Sequence, residues 1–472
     1  MHEMRSRLDR VFSAITAGNE ALGRKNRSLL LEIVWGVVLL LGLLRMLLPE
    51  SLQYSFTVMG GVLLSGLIAL LSYEKGAFSG LRLCALPTLL IVGIGLCFLT
   101  NAFIFHVLAY FAIGMVFAVG LPVLYLCLSS FGVEDSLLVF ARATTAVYVV
   151  IVIASLLFGP TVGLKGYASF FGNTNLFGNF LNISVAAILF LLCAEKPERR
   201  KRSALLFCLL FSALTLCVLT RSRTNLLSIL AQLVFCFVAW VSRSVRRKSF
   251  SVTWKSLLQR LVLSVLVVVT TFVLFCPVKA AVKRQILSFT DEAEAIAFQQ
   301  KQPSSEQILR STFAYLFKGV NLAEDQEGED VFTSGRKEIW KRFYHELRFL
   351  GHADENLEVV EKTRHYAATN AHNVYLQLAF SAGIPAGLLM LLLALLVFVM
   401  AAVRVLREYR AASLSLSNLF LGLSGLAFVF PSLTSSGYMP YVYYPATLFW
   451  ISLMVLCVKT DGAENAQKRE AK

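Results

Sequence analysis

Apolar residues in this chain do not alternate with polar ones; they come in runs. Twelve runs stand at about 28–48, 53–73, 83–104, 106–130, 137–158, 174–194, 203–220, 224–241, 257–277, 384–403, 417–437 and 441–458. Each is close to the roughly 20 residues that one helical pass through a hydrocarbon core about 30 Å thick requires. Between the ninth and tenth runs the polar positions take over, with fifteen Asp/Glu and thirteen Lys/Arg across 278–370. The pattern predicts an all-α, polytopic membrane protein of about twelve transmembrane helices and one long external loop. Its parts are an N-terminal segment with helices one to nine (1–277), the loop (278–370), an interfacial helix start with the last three helices (371–458), and a tail (459–472). A loop of that length calls for a function or for disorder, because structureless connections beyond about 15 residues are uncommon. Ile339, Trp340, Phe343, Leu347 and Leu350 recur at helical spacing, and Trp340 and Tyr344 suit a membrane interface. The acidic middle, 325–330, has almost nothing to bury and is expected to be mobile.

Composition removes the remaining soluble alternatives, since 57% of the chain is apolar, 15% is charged and 36 residues are phenylalanine. The net charge of +15 would point to nucleic acid in a soluble chain, but here its placement decides. Arg5, Arg7, Arg10, Arg24, Lys25 and Arg27, the 196–202 run, Arg243 to Lys248, Arg404 to Arg410 and the tail from Lys459 all fall in the odd set of inter-run segments. Short cytoplasmic loops collect Lys and Arg, so those segments and both termini are read as cytoplasmic, and nucleic acid is not an expected partner. All nine cysteines lie in or beside apolar runs, so no disulfide framework is implied. The polar N-terminus leads into the first run with no small-residue cleavage site, as an uncleaved first span does. Leu8, Phe12 and Ile15, spaced helically among arginines, predict a short helix lying on the inner leaflet.

Four polar features interrupt the apolar pattern, and all fall on the external side of this topology. The first is Thr220-Arg221-Ser222-Arg223-Thr224-Asn225. An arginine within a span costs about 2.5–3.5 kcal/mol on insertion scales; such a residue serves a cavity or partner, or snorkels to the interface. The second, Ser334-Gly335-Arg336-Lys337-Glu338-Ile339-Trp340, sets Arg336 at a helix start, where the backbone dipole adds to its attraction for an anion. The third is Asn370-Ala371-His372-Asn373-Val374-Tyr375-Leu376-Gln377, running into Gly383-Ile384-Pro385. Asn370 is expected to cap a short helix with His372 in its first turn. A histidine, with a pKa near about 6.5, is mostly neutral outside the cell and can accept a proton. The fourth, Gly172-Asn173-Thr174-Asn175-Leu176-Phe177-Gly178, suits a tight turn or the recognition of hydroxyls. No Asp-x-Asp occurs, and Asp325, Glu327, Glu329 and Asp330 around Gly328 miss the calcium-loop spacing, so no metal site is read.

In that order, with about twelve spans, these features resemble the O-antigen ligase and O-antigen polymerase superfamily of bacterial envelope glycan enzymes; 372–387 is the most specific stretch. The resemblance implies a fold similar to the multi-span glycosyltransferases (GT-C type) that use polyprenyl-linked donors, working without metal or cofactor. It implies a bacterial cytoplasmic (inner) membrane setting, an active site on the external face, a glycan donor on undecaprenyl diphosphate, a glycan or glycolipid acceptor, and membrane lipids as surroundings. By likeness, Arg223 and Arg336 correspond to the family's diphosphate-binding arginines and His372 to its catalytic histidine. Arg221 stands beside them as a diphosphate candidate without an assigned counterpart, and Asn173, Asn175, Asn373 and Tyr375 as further substrate-binding candidates. The long acidic stretch ahead of Arg336 departs from the family pattern. Ligase and polymerase share these motifs. A transporter or flippase of lipid-linked sugars would need the same external arginines, but such proteins tend to show paired broken helices in related halves, and no such pairing is seen.

Overall fold

Each of the twelve apolar runs is mostly helix among the described residues in a computed structural model of the chain, because only a helix can satisfy every backbone group of a lone segment in hydrocarbon. The structure describes residues 2–44, 50–195, 200–246, 254–318, 336–360, 365–411 and 415–460. Among these, eight helices are long and apolar enough to cross a membrane. The other four runs hold shorter apolar helices, Phe56–Ser72, Arg223–Ala239, Leu416–Ser432 and Tyr444–Cys457. Two of those belong to longer helices, Glu50–Ser72 and Arg223–Arg246. The protein is an all-α polytopic membrane protein.

The chain forms two compact units, residues 145–335 and residues 1–144 with 336–472. In the first, Thr174–Ala194 is the central helix: 83% of its apolar window is buried, against 22% for Leu258–Thr290. Burial on all sides brings polar residues inside, and they find each other. Asn182 Oδ1 accepts from Gln232 Nε2 at 2.5 Å and from Ser228 Oγ at 3.1 Å. The sequence reading ends the ninth span near 277, but the helix runs on. A π-helical turn, Leu274–Val278, absorbs Pro277, and Lys279–Thr290 continues it. Two further helices follow, Glu292–Lys301 capped by Asp291 and Ser305–Phe313, whose Ser304 and Gln307 form a capping box.

In the second unit, the segments that alternate passes should bring together do meet. At one end Arg24 bonds Asp135 at 2.5 Å and the Phe131 carbonyl at 2.6 Å. There Leu81–Leu83 pairs antiparallel with Val458–Thr460, and Asp9 accepts from Tyr73, Phe78 and Ser79. The expected N-terminal helix, His2–Ile15, docks there through Phe12 on Tyr73 and Phe78, leaving Leu8, Val11 and Ile15 exposed. At the other end Asn101 donates to the Ser381 carbonyl at 2.7 Å, and Tyr438 to Glu355 at 3.2 Å. A short antiparallel pair, Leu357–Val360 with His365–Thr369, precedes the histidine motif; no pattern in the sequence announces it. The 325–330 acidic stretch, residues 196–199 and the 461–472 tail lie outside the described residues.

Candidate active site

The arginine turn belongs to the 145–335 unit. Arg200–Thr220 ends, Arg221 turns the chain in the left-handed region (φ 61°), and Arg223 opens the next helix. Arg221 is buried. Its Nε donates to Thr312 Oγ1 at 3.2 Å and its Nη1 to the Leu164 carbonyl, while Nη2 is buried without a partner among the described residues. Burial lowers its pKa, with Tyr315 acting the other way; an arginine nevertheless stays charged. Ser222 Oγ donates to Asn175 Oδ1 at 2.9 Å and accepts from Asn225 Nδ2 at 2.8 Å. Gly178 makes that contact possible, because a Cβ there would meet Asn225 Nδ2 at 2.7 Å. Asn173 caps Thr174–Ala194 by accepting from the backbone N–H of Asn175 and Leu176. The two amides of the fourth motif therefore build the turn, Asn173 as cap and Asn175 as the brace of Ser222. Arg223 is half-buried with its guanidinium 4.7 Å from the centre of the Tyr315 ring, and among the described residues no carboxylate pairs with it.

The histidine motif belongs to the other unit. Here the structure corrects the expected register: Asn373, not Asn370, caps the helix Val374–Ser381, accepting from Leu376 N at 3.0 Å. Asn370 Oδ1 instead accepts from His372 N at 3.1 Å, and His372 adopts φ 46°. That local turn takes the chain out of helical geometry until Asn373, so His372 stands just ahead of the helix rather than in its first turn.

Arg336 and His372 are brought together by the helical stripe read in the sequence. The helix Arg336–His345 packs Phe343 with Ala371 and Phe380, with Ile339, Leu347, Leu357 and Leu376 around them. His372 is half-buried, and among the described residues its ring takes no hydrogen bond. Burial first, and the charge of Arg336 second, hold its pKa below the ordinary histidine value, so the ring is a neutral base at neutral pH.

The neighbours fix this loop. Gln377 is buried; its Oε1 accepts from Ala371 N at 2.8 Å while its Nε2 donates to the Glu355 carbonyl at 2.7 Å and to Ser381 Oγ at 3.0 Å. Tyr375 OH accepts from Ser432 Oγ at 3.1 Å. Gly383, with φ 97°, lies so close to the 348–351 strap that a Cβ would meet the Phe349 carbonyl at 2.2 Å. Only glycine fits this crossing.

Residues 206–391 match the family model for O-antigen ligase. The O-antigen ligase resemblance read from the motifs therefore stands. The matched segment holds Arg221, Arg223, Arg336, His372, Asn373 and Tyr375, and begins after Asn173 and Asn175. For that segment the match supports an O-antigen ligase- or polymerase-type membrane glycosyltransferase. No curated protein and no solved structure matches the chain.

Within the matched segment, Gln377, Glu355 and Tyr315 also shape the site, and the motifs give none of them a role. The signal for Gln377 in the sequence is its spacing of six from Ala371 within the histidine motif. Glu355 sits in an acidic loop that gives no cue, yet its carboxyl accepts from Tyr438 OH and burial raises its pKa.

Proposed function

We propose that this chain transfers a glycan from undecaprenyl diphosphate to an acceptor hydroxyl at the external face of a bacterial cytoplasmic membrane. The observation that carries the reading is a half-buried histidine, His372, with no hydrogen bond to its ring among the described residues, in a loop fixed by Gln377 and packed against the helix that Arg336 opens. A glycosyl diphosphate already has a good leaving group. Catalysis then needs stabilisation of the departing diphosphate and a base for the acceptor. Arg223 and Arg336 are its diphosphate ligands, because a guanidinium fork binds phosphate oxygens bidentately and never loses its charge. Arg221, already engaged with Leu164 and Thr312, adds positive charge behind Arg223. The acceptor oxygen attacks the anomeric carbon, the bond to the diphosphate oxygen breaks with its electron pair, and the acceptor's proton goes to a ring nitrogen of His372. Attack opposite the leaving group inverts the anomeric centre.

The test is reconstitution with a lipid-linked oligosaccharide and candidate acceptors, reading product size. A single transfer identifies a ligase and a ladder a polymerase, whereas unmodified lipid moved across the bilayer would replace the reading with transport. Turnover is expected to survive EDTA, since arginines supply the charge a cation would; a Mg²⁺ or Mn²⁺ requirement would turn attention to residues 325–330. Cysteines introduced at Glu327 and Ser244 are expected to label from outside intact cells only at Glu327, and the reverse would overturn the external assignment.

A further inference from the structure

Beside the histidine loop, wholly within its own unit, lies a cavity of about 370 Å³ that none of the motifs explains. Phe105 and Leu357 give it an apolar side; Glu346, Asp354 and Asn356 give it a polar rim, with Arg348 alongside. The volume is at the small end of the roughly 300–1,000 Å³ range of small-molecule sites. His352 lies flat on Phe380, ring centroids 4.1 Å apart, and its Nε2 bonds the Glu346 carbonyl at 2.6 Å. His352 therefore covers Phe380 and turns its own outer face to the cavity.

We propose that this cavity is a saccharide subsite, holding an uncharged sugar of the acceptor with its C–H face on Phe105 and the outer face of the His352 ring, and its hydroxyls on Asp354, Asn356 and Glu346. The proposal rests on the glycosyltransferase reading above and adds to it where the acceptor is held. Three observations support it. First, the lining pairs an apolar wall with several oxygen acceptors and an amide, the combination that suits a ring with one greasy face and a hydroxyl edge. Second, two carboxylates against one arginine disfavour an anionic ligand such as a diphosphate or a lipid phosphate. Third, the cavity is mechanically tied to the base. Phe380 carries His352 on one side and is a core partner of Ala371, and Gln377 bonds Ala371 N with one end and the Glu355 carbonyl, between Asp354 and Asn356, with the other. A sugar seated here is held by the same frame that holds His372.

The experiment uses the full chain in detergent and measures binding of free uncharged mono- and disaccharides by ligand-observed NMR, together with turnover where acceptor and lipid-linked donor are varied separately. Asp354→Ala and Asn356→Ala each remove an exposed rim group, and Ala353→Trp fills the cavity without deleting a bond. The expected result is saccharide binding weakened about tenfold, the size of one lost hydrogen bond, with the acceptor KM raised likewise while kcat and donor KM hold. His372→Ala is expected to leave saccharide binding intact. Unchanged binding and unchanged acceptor KM in all three cavity variants would overturn the subsite. A rise confined to donor KM would overturn the acceptor assignment and place the donor's glycan there. Saccharide binding lost in these variants in a protein that transfers no glycan at all would uphold the subsite and sink the glycosyltransferase reading instead.

Discussion

The arginine turn and the histidine loop are both built on left-handed residues followed by an asparagine- or serine-anchored helix, yet they are finished differently. In the turn, Arg221, Ser222, Asn225 and Asn175 spend most of their hydrogen-bonding groups on one another, on Thr312 or on backbone, leaving Arg221 Nη2 and Asn225 Oδ1 without a partner among the described residues. In the loop, Asn370, Asn373, Tyr375 and Gln377 are each held in hydrogen bonds, but the His372 ring is left out of them. The contrast separates two tasks. A binding charge is best pre-organised by a fixed frame, whereas a base must keep a nitrogen available for the proton it takes. Of the eight candidates read from the sequence, structure assigns architectural bonds to Asn173, Asn175, Asn373 and Tyr375, and Arg221 is largely occupied. Arg223, Arg336 and His372 carry the proposed chemistry.

The largest effect is expected where that contrast is sharpest. His372→Ala removes the only proposed proton acceptor, so transfer falls about 10²–10⁴-fold, the usual range for a positioned general base, while binding of the lipid-linked donor persists. His345, which is exposed at the end of its helix, is expected to tolerate the same change in the same assay. Near-normal turnover in His372→Ala would return the base to another residue, and loss of donor binding with turnover would make the histidine a diphosphate ligand.

Next come the arginines. Arg223→Lys and Arg336→Lys keep the charge and lose the planar fork, and each is expected to lower turnover about ten- to a hundredfold, in line with the 1.5–3 kcal/mol of a hydrogen bond to a charged group. In Arg223→Lys the stack on Tyr315 weakens as well. Full activity in both variants would mean that no fork is used, erasing the distinction between the turn as binder and the loop as base.

The frame itself can be broken at Gln377. Leucine there leaves the Ala371 N–H and the Glu355 carbonyl without the partner each now has. A loss of about 1–3 kcal/mol of stability is expected for stranding buried polar groups, read as a lowered unfolding temperature of the purified protein. Unchanged stability and turnover would show that His372 is held by the core cluster alone.

How much of this was legible differs by kind of signal. The apolar helices were, because an apolar run has one solution in hydrocarbon, whereas among the described residues eight, not twelve, are long and apolar enough to cross a membrane. The Ile339, Phe343 and Leu347 stripe was also legible, and it turned out to be what joins Arg336 to His372. The helix register at 370–374 was not, since Asn370 and Asn373 are equally good caps by type and only the backbone turn at His372 selects between them. The capping box at Ser304 and Gln307 was readable and marks a helix inside the polar loop. The bridge from Gln377 to Glu355 was not, because it joins a motif residue to an unremarkable position 22 residues away. Hydrophobic pattern reports what a segment faces; it does not report which distant carbonyl a single amide will meet.

The smallest expected effect is a displacement along the pH axis. The active form of His372 is the neutral ring, so turnover declines as pH falls through its pKa. That pKa lies below the ordinary value of about 6.5 because burial and the Arg336 charge both disfavour the imidazolium. Arg336→Gln removes the second cause and keeps the first. The pKa then rises, and the acid limb of the rate profile moves to higher pH. Arg336→Lys, which retains the charge, lowers the plateau but leaves the limb near its wild-type position. The pair of variants therefore separates two roles of one residue, since a lost diphosphate contact changes the height of the profile and a lost charge changes its position. A limb that stays put in Arg336→Gln, or moves to lower pH, would show that Arg336 does not govern the protonation of the base.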